Sequence, residues 1–368
     1  MVIRTLRLSG FRNYARAELL PARGVTVLHG ENAQGKTNLI EAIHLCCLGR
    51  SHRTGKDQEL VRWGDGFAQA AVTVERRDGV HDVLVQLSPE ERRKKIIKIN
   101  GSPVGRIGEL MGHVNVVLFS PEDLRLVKEG PEGRRRFLDM EISQLFPGYF
   151  YALQRYARAL NQRNGLLRRL LIHPADPLRS TLDEWDALLV EAGGQIIDRR
   201  IEHLDRLAAA AGEAHASLSG GRENLSLSYV CRAKNQETLQ NLLHTARAED
   251  LRRGSTSVGP HRDDFRIDLS GHDARSFASQ GQQRTAALSL KLAEINVMRD
   301  TLKENPVLLL DDVMSELDVT RRKLLIRHMH EVQTIITCTH LSDLGGAPYE
   351  AAYQVSGGTI TMENNLGG

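Results

Sequence analysis

Aromatic residues make up only 5% of this 368-residue chain, and tryptophan occurs twice, so the core has to be built from aliphatic side chains. No apolar run approaches the roughly eighteen residues that a membrane-spanning helix needs. The opening MVIRTLRLSGF has no leader-peptide pattern either. Cysteine is scarce. Cys46, Cys47, Cys231 and Cys338 lie in apolar or strand-like contexts without metal-ligand spacing, which argues against a disulfide framework and against a thiolate metal site. An excess of one charge is also missing: 49 Lys and Arg against 46 Asp and Glu leave +3, compatible with a polyanionic partner without requiring one. These absences imply a reduced, soluble, cytoplasmic protein, in which the Asn224-Leu225-Ser226 glycosylation sequon carries no meaning.

What is present is patterning in two styles. Residues 2–9 and 25–29 read as strands joined by a polar turn at Pro21 to Gly24, with a helix over 38–48. Residues 68–100 alternate apolar and charged positions, which predicts a β-meander with turns at Asp78-Gly79 and Asn100-Gly101. The basic run Glu91-Arg92-Arg93-Lys94-Lys95 falls at a strand start and reads as a solvated edge. From 122 to 250 the periodicity is almost wholly helical, as in Leu182, Trp185, Leu189, Ala192 and Ile196. Pro260 to Asp264 read as a turn, and strands return at 265–269. There follow a helix opening near Ser279, a strand at 307–310, a helix at 318–331 and a strand at 334–337. Two α/β segments, 1–118 and 256–368, are expected to form one lobe, with 119–255 inserted as a mainly helical second lobe.

Gly30-Glu31-Asn32-Ala33-Gln34-Gly35-Lys36-Thr37 fits G-x-x-x-x-G-K-[ST] in full, after an apolar strand and ahead of a helix. Two glycines let successive backbone N–H groups converge on phosphate oxygens. The helix start adds positive potential, Lys36 reaches the β- and γ-phosphates of a nucleotide, and the Thr37 hydroxyl suits Mg²⁺. Val307-Leu308-Leu309-Leu310-Asp311-Asp312 is the complementary signal, a buried strand ending in two carboxylates. Asp311 is placed to hold Mg²⁺ through water, and Asp312 to orient or deprotonate an attacking water. Asp312 alone also fits a helix cap.

The helix at Ser279 opens on Ser279-Gln280-Gly281-Gln282-Gln283, more polar residues than one cap requires. Ser279 with the N–H groups around Gly281 makes a second anion cradle. With the triphosphate already held at 30–37, that cradle is redundant within one copy and is expected to complete the site of another. Ser315 and Asp318 in the following MSELD lie where a dimer would meet the opposite site.

Gly30 to Thr37, SQGQQ, LLLDDVMSELD and Thr339-His340 resemble the Walker A, signature, Walker B with D-loop, and switch elements of ABC-type ATPases. The long interval from Thr37 to Ser279 resembles the SMC-like branch. FRNY, GENAQGKTNLIEAI, GRSHR, FSPEDL, GRRRFLD, GPHRDD and SQGQQRT resemble the RecF family within it, over residues 9 to 340. The resemblance implies an α/β fold, an ABC-type P-loop ATPase head of mixed sheet, flanking helices and β-meander, with the helical lobe inserted. It implies Mg-ATP as cofactor, with residues 30–37 plus Arg12 and Asn13 near the nucleotide. Thr37 and Asp311 become metal ligands, Lys36, Asp312 and His340 catalytic residues, and Ser279, Gly281 and Gln282 act from a second copy. It further implies an ATP-dependent homodimer on double-stranded DNA that works with RecR, RecO and RecA. Asp312 stands where most ABC ATPases have glutamate, Gln280 stands where the signature has glycine, and Ser120 to Asp123 is a candidate for the Q-loop junction. Slow hydrolysis that times a dimer is the expectation. A transporter ATPase predicts a far shorter Walker A-to-signature interval, and a scaffold that holds ATP without turnover is the other alternative.

For DNA, residues 151–173 contain Arg155, Arg158, Arg163, Arg168 and Arg169 and no acid. On a helical wheel Leu153, Ala157, Leu160, Leu167 and Leu171 share one face, and Arg155, Arg158 and Arg169 the opposite one. That arginine face fits sequence-independent phosphate contacts and equally fits a solvated surface. Arg134-Arg135-Arg136 is a similar cluster.

Overall fold

The computed structural model describes residues 1–89 and 94–363. β1 (Val2–Phe11), β2 (Tyr14–Leu19), β4 (Ala68–Arg76), β5 (Gly79–Leu87), β6 (Lys95–Ile99) and β7 (Ser102–Val104) form an antiparallel sheet in the order β2-β1-β4-β5-β6-β7. The second sheet runs β15-β14-β3-β13-β12-β8. Its parallel members are β3 (Val25–His29), β8 (Val116–Phe119), β12 (Val307–Asp311), β13 (Thr334–Cys338) and β14 (Ala351–Ser356), with β15 (Thr359–Met362) antiparallel at one edge. Every residue of β12 and β13 is buried, so both faces of this sheet need cover. Helix α1 (Lys36–Leu48) covers one face. Its Leu39, Ile40 and Ile43 share a core with Ile3, Val72 and Val85 of the antiparallel sheet and with Leu309 and Ile335 of the parallel one. The other face is covered by α7 (Gln280–Leu302) and α8 (Val319–Met329), through Leu288, Leu292 and Leu325 against Val27, Leu308 and Ile336.

Between the sheet segments lie α2 (Pro131–Leu145), α3 (Pro147–Ile172), α4 (Leu182–Ser219) and α5 (Gln236–Arg253). The same stretch contributes β9 (Leu225–Val230), which pairs with β10 (Asp264–Leu269), and β11 (His272–Asp273) lies on the far side of β10. Only Leu225 is fully buried in β9, so its alternation is too faint to mark a strand by pattern. β2 is likewise unmarked by the sequence pattern, since only its two end residues are buried. The short α6 (Ala274–Phe277) leads into α7. Ala286, Ala287, Leu290 and Ala293 of α7 pack with Phe137, Tyr156, Ile196 and Leu207 of the helical layer. Helix α7 is therefore a member of two cores.

The apolar stripe of α3 is rotated from the one its leucines suggest. Ala152, Tyr156, Ala159, Leu166 and Leu170 are buried, whereas Ala157 and Leu171 are exposed. Arg163 lies on the buried stripe and is completely enclosed. Its guanidinium donates to Asp186 Oδ1 (2.5 Å), Asp250 Oδ2 (2.7 Å) and Thr256 Oγ1 (2.9 Å), which clamps α3 to α4 and α5. Basic clusters elsewhere are also spent internally. Arg134 forks onto both oxygens of Asp264, Arg135 donates to the Asp263 carbonyl and Arg136 to that of His52. Of the run 91–95, residues 91–93 lie outside the described residues. Lys95 is half-buried and pairs with Asp57 at 2.9 Å, so it is not a free solvated edge.

Removing one partner of a buried ion pair strands the other charge. Arg163→Ala is expected to lower unfolding stability by about 3–5 kcal/mol, and adding Asp250→Asn to recover part of that loss. Denaturant unfolding of the three proteins checks both.

Candidate nucleotide-binding site

β3 ends at His29, and the chain turns through residues 30–35 into α1. Gly35 caps the helix at φ 116°, and a Cβ there would lie 2.6 Å from Asn13 Nδ2 and 2.8 Å from the Tyr14 hydroxyl. Only glycine satisfies both the left-handed backbone and that close approach. The FRNY segment is what crowds it. Asn13 Nδ2 donates to the Gln34 carbonyl (2.8 Å), the Tyr14 hydroxyl donates to that of Gly35 (3.1 Å), and Asn38 Nδ2 donates to Asn13 Oδ1 (2.9 Å). Gln34 Oε1 accepts from the Gly357 N–H, which anchors the loop to the β14–β15 turn. Ala33 takes φ 65°, and Glu31, Asn32 and Ala33 are exposed on the loop's outer rim. Lys36 folds back so that Nζ donates to the Gly30 and Glu31 carbonyls.

The two carboxylates at the end of β12 point differently. Asp311 Oδ1 accepts from the Thr37 hydroxyl (2.9 Å) and from the Thr337 hydroxyl (2.8 Å). Burial pushes its carboxyl above the usual range, and the two hydroxyl bonds oppose that shift. Asp312 takes φ 55°, an uncommon backbone for aspartate, and its N–H donates to Thr337 Oγ1 at 2.9 Å. Asp312 lines the cavity beside Lys36 and Thr37.

That cavity encloses about 1070 Å³. It runs from Gly35, Lys36 and Thr37 past Arg12 and Arg53 to Arg62 and Trp63. Arg12 forks onto Glu41 (2.7 and 2.9 Å), Ser51 Oγ donates to the same carboxylate, and Arg53 lies 3.3 Å from it. Glu41 is fully buried on α1, one turn beyond Thr37. Burial alone would raise its pKa, but the Arg12 and Ser51 bonds and the two guanidiniums hold it below the ordinary value. Arg12 and Asn13 were expected at the site. Glu41, Arg53, Thr337 and Trp63 were not; Glu41 and Arg53 fall inside the GENAQGKTNLIEAI and GRSHR matches and Thr337 ends the strand read at 334–337, but none of the three was given a role there. Trp63 is 98% exposed at the mouth.

The signature residues lie elsewhere. Ser279, Gly281 and Gln282 do not line this cavity, and neither does His340, whose N–H donates to Asp343. Ser279 and Gln282 form a reciprocal cap: the Ser279 N–H donates to Gln282 Oε1 (2.7 Å) and the Gln282 N–H to Ser279 Oγ (3.3 Å). Gln282 Nε2 then donates to Glu223. Gln280 enters α7 without the positive φ that a glycine would be needed for. The MSELD segment braces this start. Arg284 donates to Glu316 Oε2 (2.9 Å), and Arg321 joins Asp318 to the Gly281 carbonyl and the Thr285 hydroxyl. Ser279 and Ser315 remain exposed. On α3, Arg155 donates to Glu191 and Gln195, Arg169 pairs with Asp176, and Arg158 is exposed.

A P-loop between two sheets, a carboxylate-ended strand two places along the same sheet and a capped helix start far along the chain define an ABC-type ATPase head of the SMC kind. The Smc head domain with coiled coil and joint from Pyrococcus yayanosii shares this fold at TM-score 0.58 and 14% identity, over 98% of this chain and 96% of that one. Residues 2–356 match the RecF/RecN/SMC N terminal domain. The DNA replication and repair protein RecF of Clostridium novyi is 40% identical over 98% of this chain and all of its own. A solved structure of the recombination mediator protein RecF-ATPrS in the RecFOR pathway superposes with TM-score 0.91 at 36% identity, covering 98% of both chains. The chain belongs to the RecF family of SMC-type ABC ATPases. Among the described residues no helix is long and apolar enough to cross a membrane.

Gly35→Ala puts a methyl group into the Asn13–Tyr14 contact at a strained backbone, and affinity for a fluorescent ATP analogue is expected to fall by about tenfold or more. The lowered Glu41 pKa sets a pH dependence. Its carboxylate stabilises the fold above the ordinary 4.5, and the contribution disappears as pH falls through the depressed folded value. Glu41→Gln should therefore melt earlier than the parent at neutral pH, with the gap closing below pH 4.5.

Proposed function

We propose that this chain is an ATP-dependent, DNA-binding recombination mediator. ATP pairs two copies on double-stranded DNA or at single/double-strand junctions. The pair, with RecR and RecO, helps load the RecA recombinase on gapped DNA in repair and replication restart. Hydrolysis is slow, DNA-stimulated, and sets how long the pair stays on DNA. The observation that carries this reading is the separation of the two anion cradles. The P-loop cavity is formed within one copy, while the capped, exposed start of α7 at Ser279 is braced by its own D-loop segment and contributes no residue to that cavity. A second copy gives the start of α7 a phosphate to meet.

The residues fit the nucleotide and its metal. Gly35 leaves room for backbone N–H groups to approach phosphate, and Lys36 Nζ already reaches inward-facing oxygen atoms, the Gly30 and Glu31 carbonyls, at the loop. Thr37 Oγ1 and Asp311 Oδ1, 2.9 Å apart, are two oxygen donors suited to a hard cation. Mg²⁺ held there would neutralise charge on the terminal phosphates. Asp312, on the cavity wall, is the carboxylate in position to take a proton from water. Aspartate is shorter than the usual glutamate by one methylene, which supports slow turnover. Arg12, Arg53 and Arg62 add positive charge along the cavity, and Trp63 offers a face for the base. For DNA, Arg158 is ready for phosphate contact, while Arg155 and Arg169 would exchange their present partners for phosphates.

Ser279→Arg fills the second cradle without touching the P-loop. In sedimentation with ATP and duplex DNA, the parent should shift to a dimer while the variant binds ATP normally and stays monomeric. A variant that dimerises like the parent would remove Ser279 from the shared site.

A further inference from the structure

The end of the α3–α4 hairpin remote from the sheets carries a small core of its own. Leu166, Leu167, Leu170 and Leu182 pack there with Trp185 and Leu251, apart from the larger core of the helical layer. At the same end of the hairpin three large apolar side chains face water: Leu171 is 51% exposed, Ile172 73% and Leu178 44%. Away from the nucleotide cavity and the start of α7, large apolar side chains seldom gather on the surface in this way.

The border of the patch is richer in arginine than in carboxylates. A Cβ at Gly254, just past α5, would lie 3.4 Å from Arg168 Cγ and 3.5 Å from Leu171 Cδ2, so the end of α5 abuts the patch and brings Arg252 and Arg253 beside it. Glu249 pairs with both of those arginines, and Asp176 with Arg169. Arg168 and Arg179 have no ion pair among the described residues. An apolar centre with an arginine border complements a segment of opposite make-up, and arginine beside apolar anchors is the composition of interface hot spots.

We propose that this hairpin tip is a docking surface for an acidic amphipathic segment of a partner protein. Its Leu, Ile or Phe side chains cover Leu171, Ile172 and Leu178, and its Asp and Glu pair with Arg168 and Arg179. Docking is independent of the nucleotide site. Double-stranded DNA is the competing occupant, and it would use the arginines without covering the apolar centre.

The test is fluorescence anisotropy with a labelled synthetic peptide in which Asp and Glu alternate with Leu and Phe. One control peptide carries Asn and Gln for the acids and another Ser for the apolar residues. The full-length protein is expected to bind the first peptide about tenfold or more tighter than either control. The double variants Leu171→Ser/Ile172→Ser and Arg168→Glu/Arg179→Glu should each lose about tenfold, with unchanged melting and ATP binding. The proposal is overturned if the peptide does not bind, if either double variant binds it like the parent, or if the serine control binds equally well. A duplex whose affinity falls in the arginine variant, with peptide affinity unchanged, assigns the tip to DNA instead.

Discussion

One carboxylate oxygen fixes the catalytic half of the molecule. Asp311 Oδ1 accepts hydroxyl protons from Thr37 and Thr337, which ties the first turn of α1 to the ends of β12 and β13. The Thr337 hydroxyl has one proton and gives it to Asp311, so its oxygen is left to accept from the Asp312 N–H. Strand register supports the same arrangement, because Asp311 and Thr337 are paired residues of the parallel ladder. The strained backbone of Asp312 follows from this geometry. Its N–H is held by a neighbouring strand while its side chain leaves the sheet for the cavity. Without Asp311 the strands would keep their hydrophobic pairing, but the direct tie between the first turn of α1 and the strand ends would be lost.

Features were legible in the sequence where one strong local constraint acted alone. The glycine-lysine loop, the aliphatic strand before two aspartates and the polar start of α7 each depend on their own residues. The β-meander was legible because its strands bury every second side chain. The rest failed for identifiable reasons. β2 and β9 bury too few residues to show alternation. On α3, the leucines suggested one buried face, but the stripe is set by Tyr156, Ala159 and Arg163, and a buried arginine is invisible to a hydrophobic count. Glu41 and Arg53 come from α1 and the loop after it. Their joint role with Arg12 exists only after β1 has been laid against α1.

Arginine usage separates surface from interior in an unexpected way. Residues 134–136 and Arg163 look like a polyanion-binding inventory in sequence. In the fold Arg163 satisfies carboxylates where α3 crosses α4 and α5, and Arg134, Arg135 and Arg136 bond to Asp264 and to the Asp263 and His52 carbonyls. At such a crossing a guanidinium supplies both bulk and several donors at once. A count of basic residues therefore overstates the charge available to DNA.

Helix α7 has no free face along most of its length, since one side belongs to the core under the parallel sheet and the other to the core of the helical layer. Bending it would open gaps in both at once, and packed interiors resist that strongly. It behaves as a stiff rod passing through two bearings, with its polar tip protruding. A small tilt of the helical layer relative to the sheet is thus delivered to Ser279 as a displacement of the whole tip rather than being absorbed along the way. Geometry at the far end of the molecule and geometry at that tip are parts of one rigid coordinate.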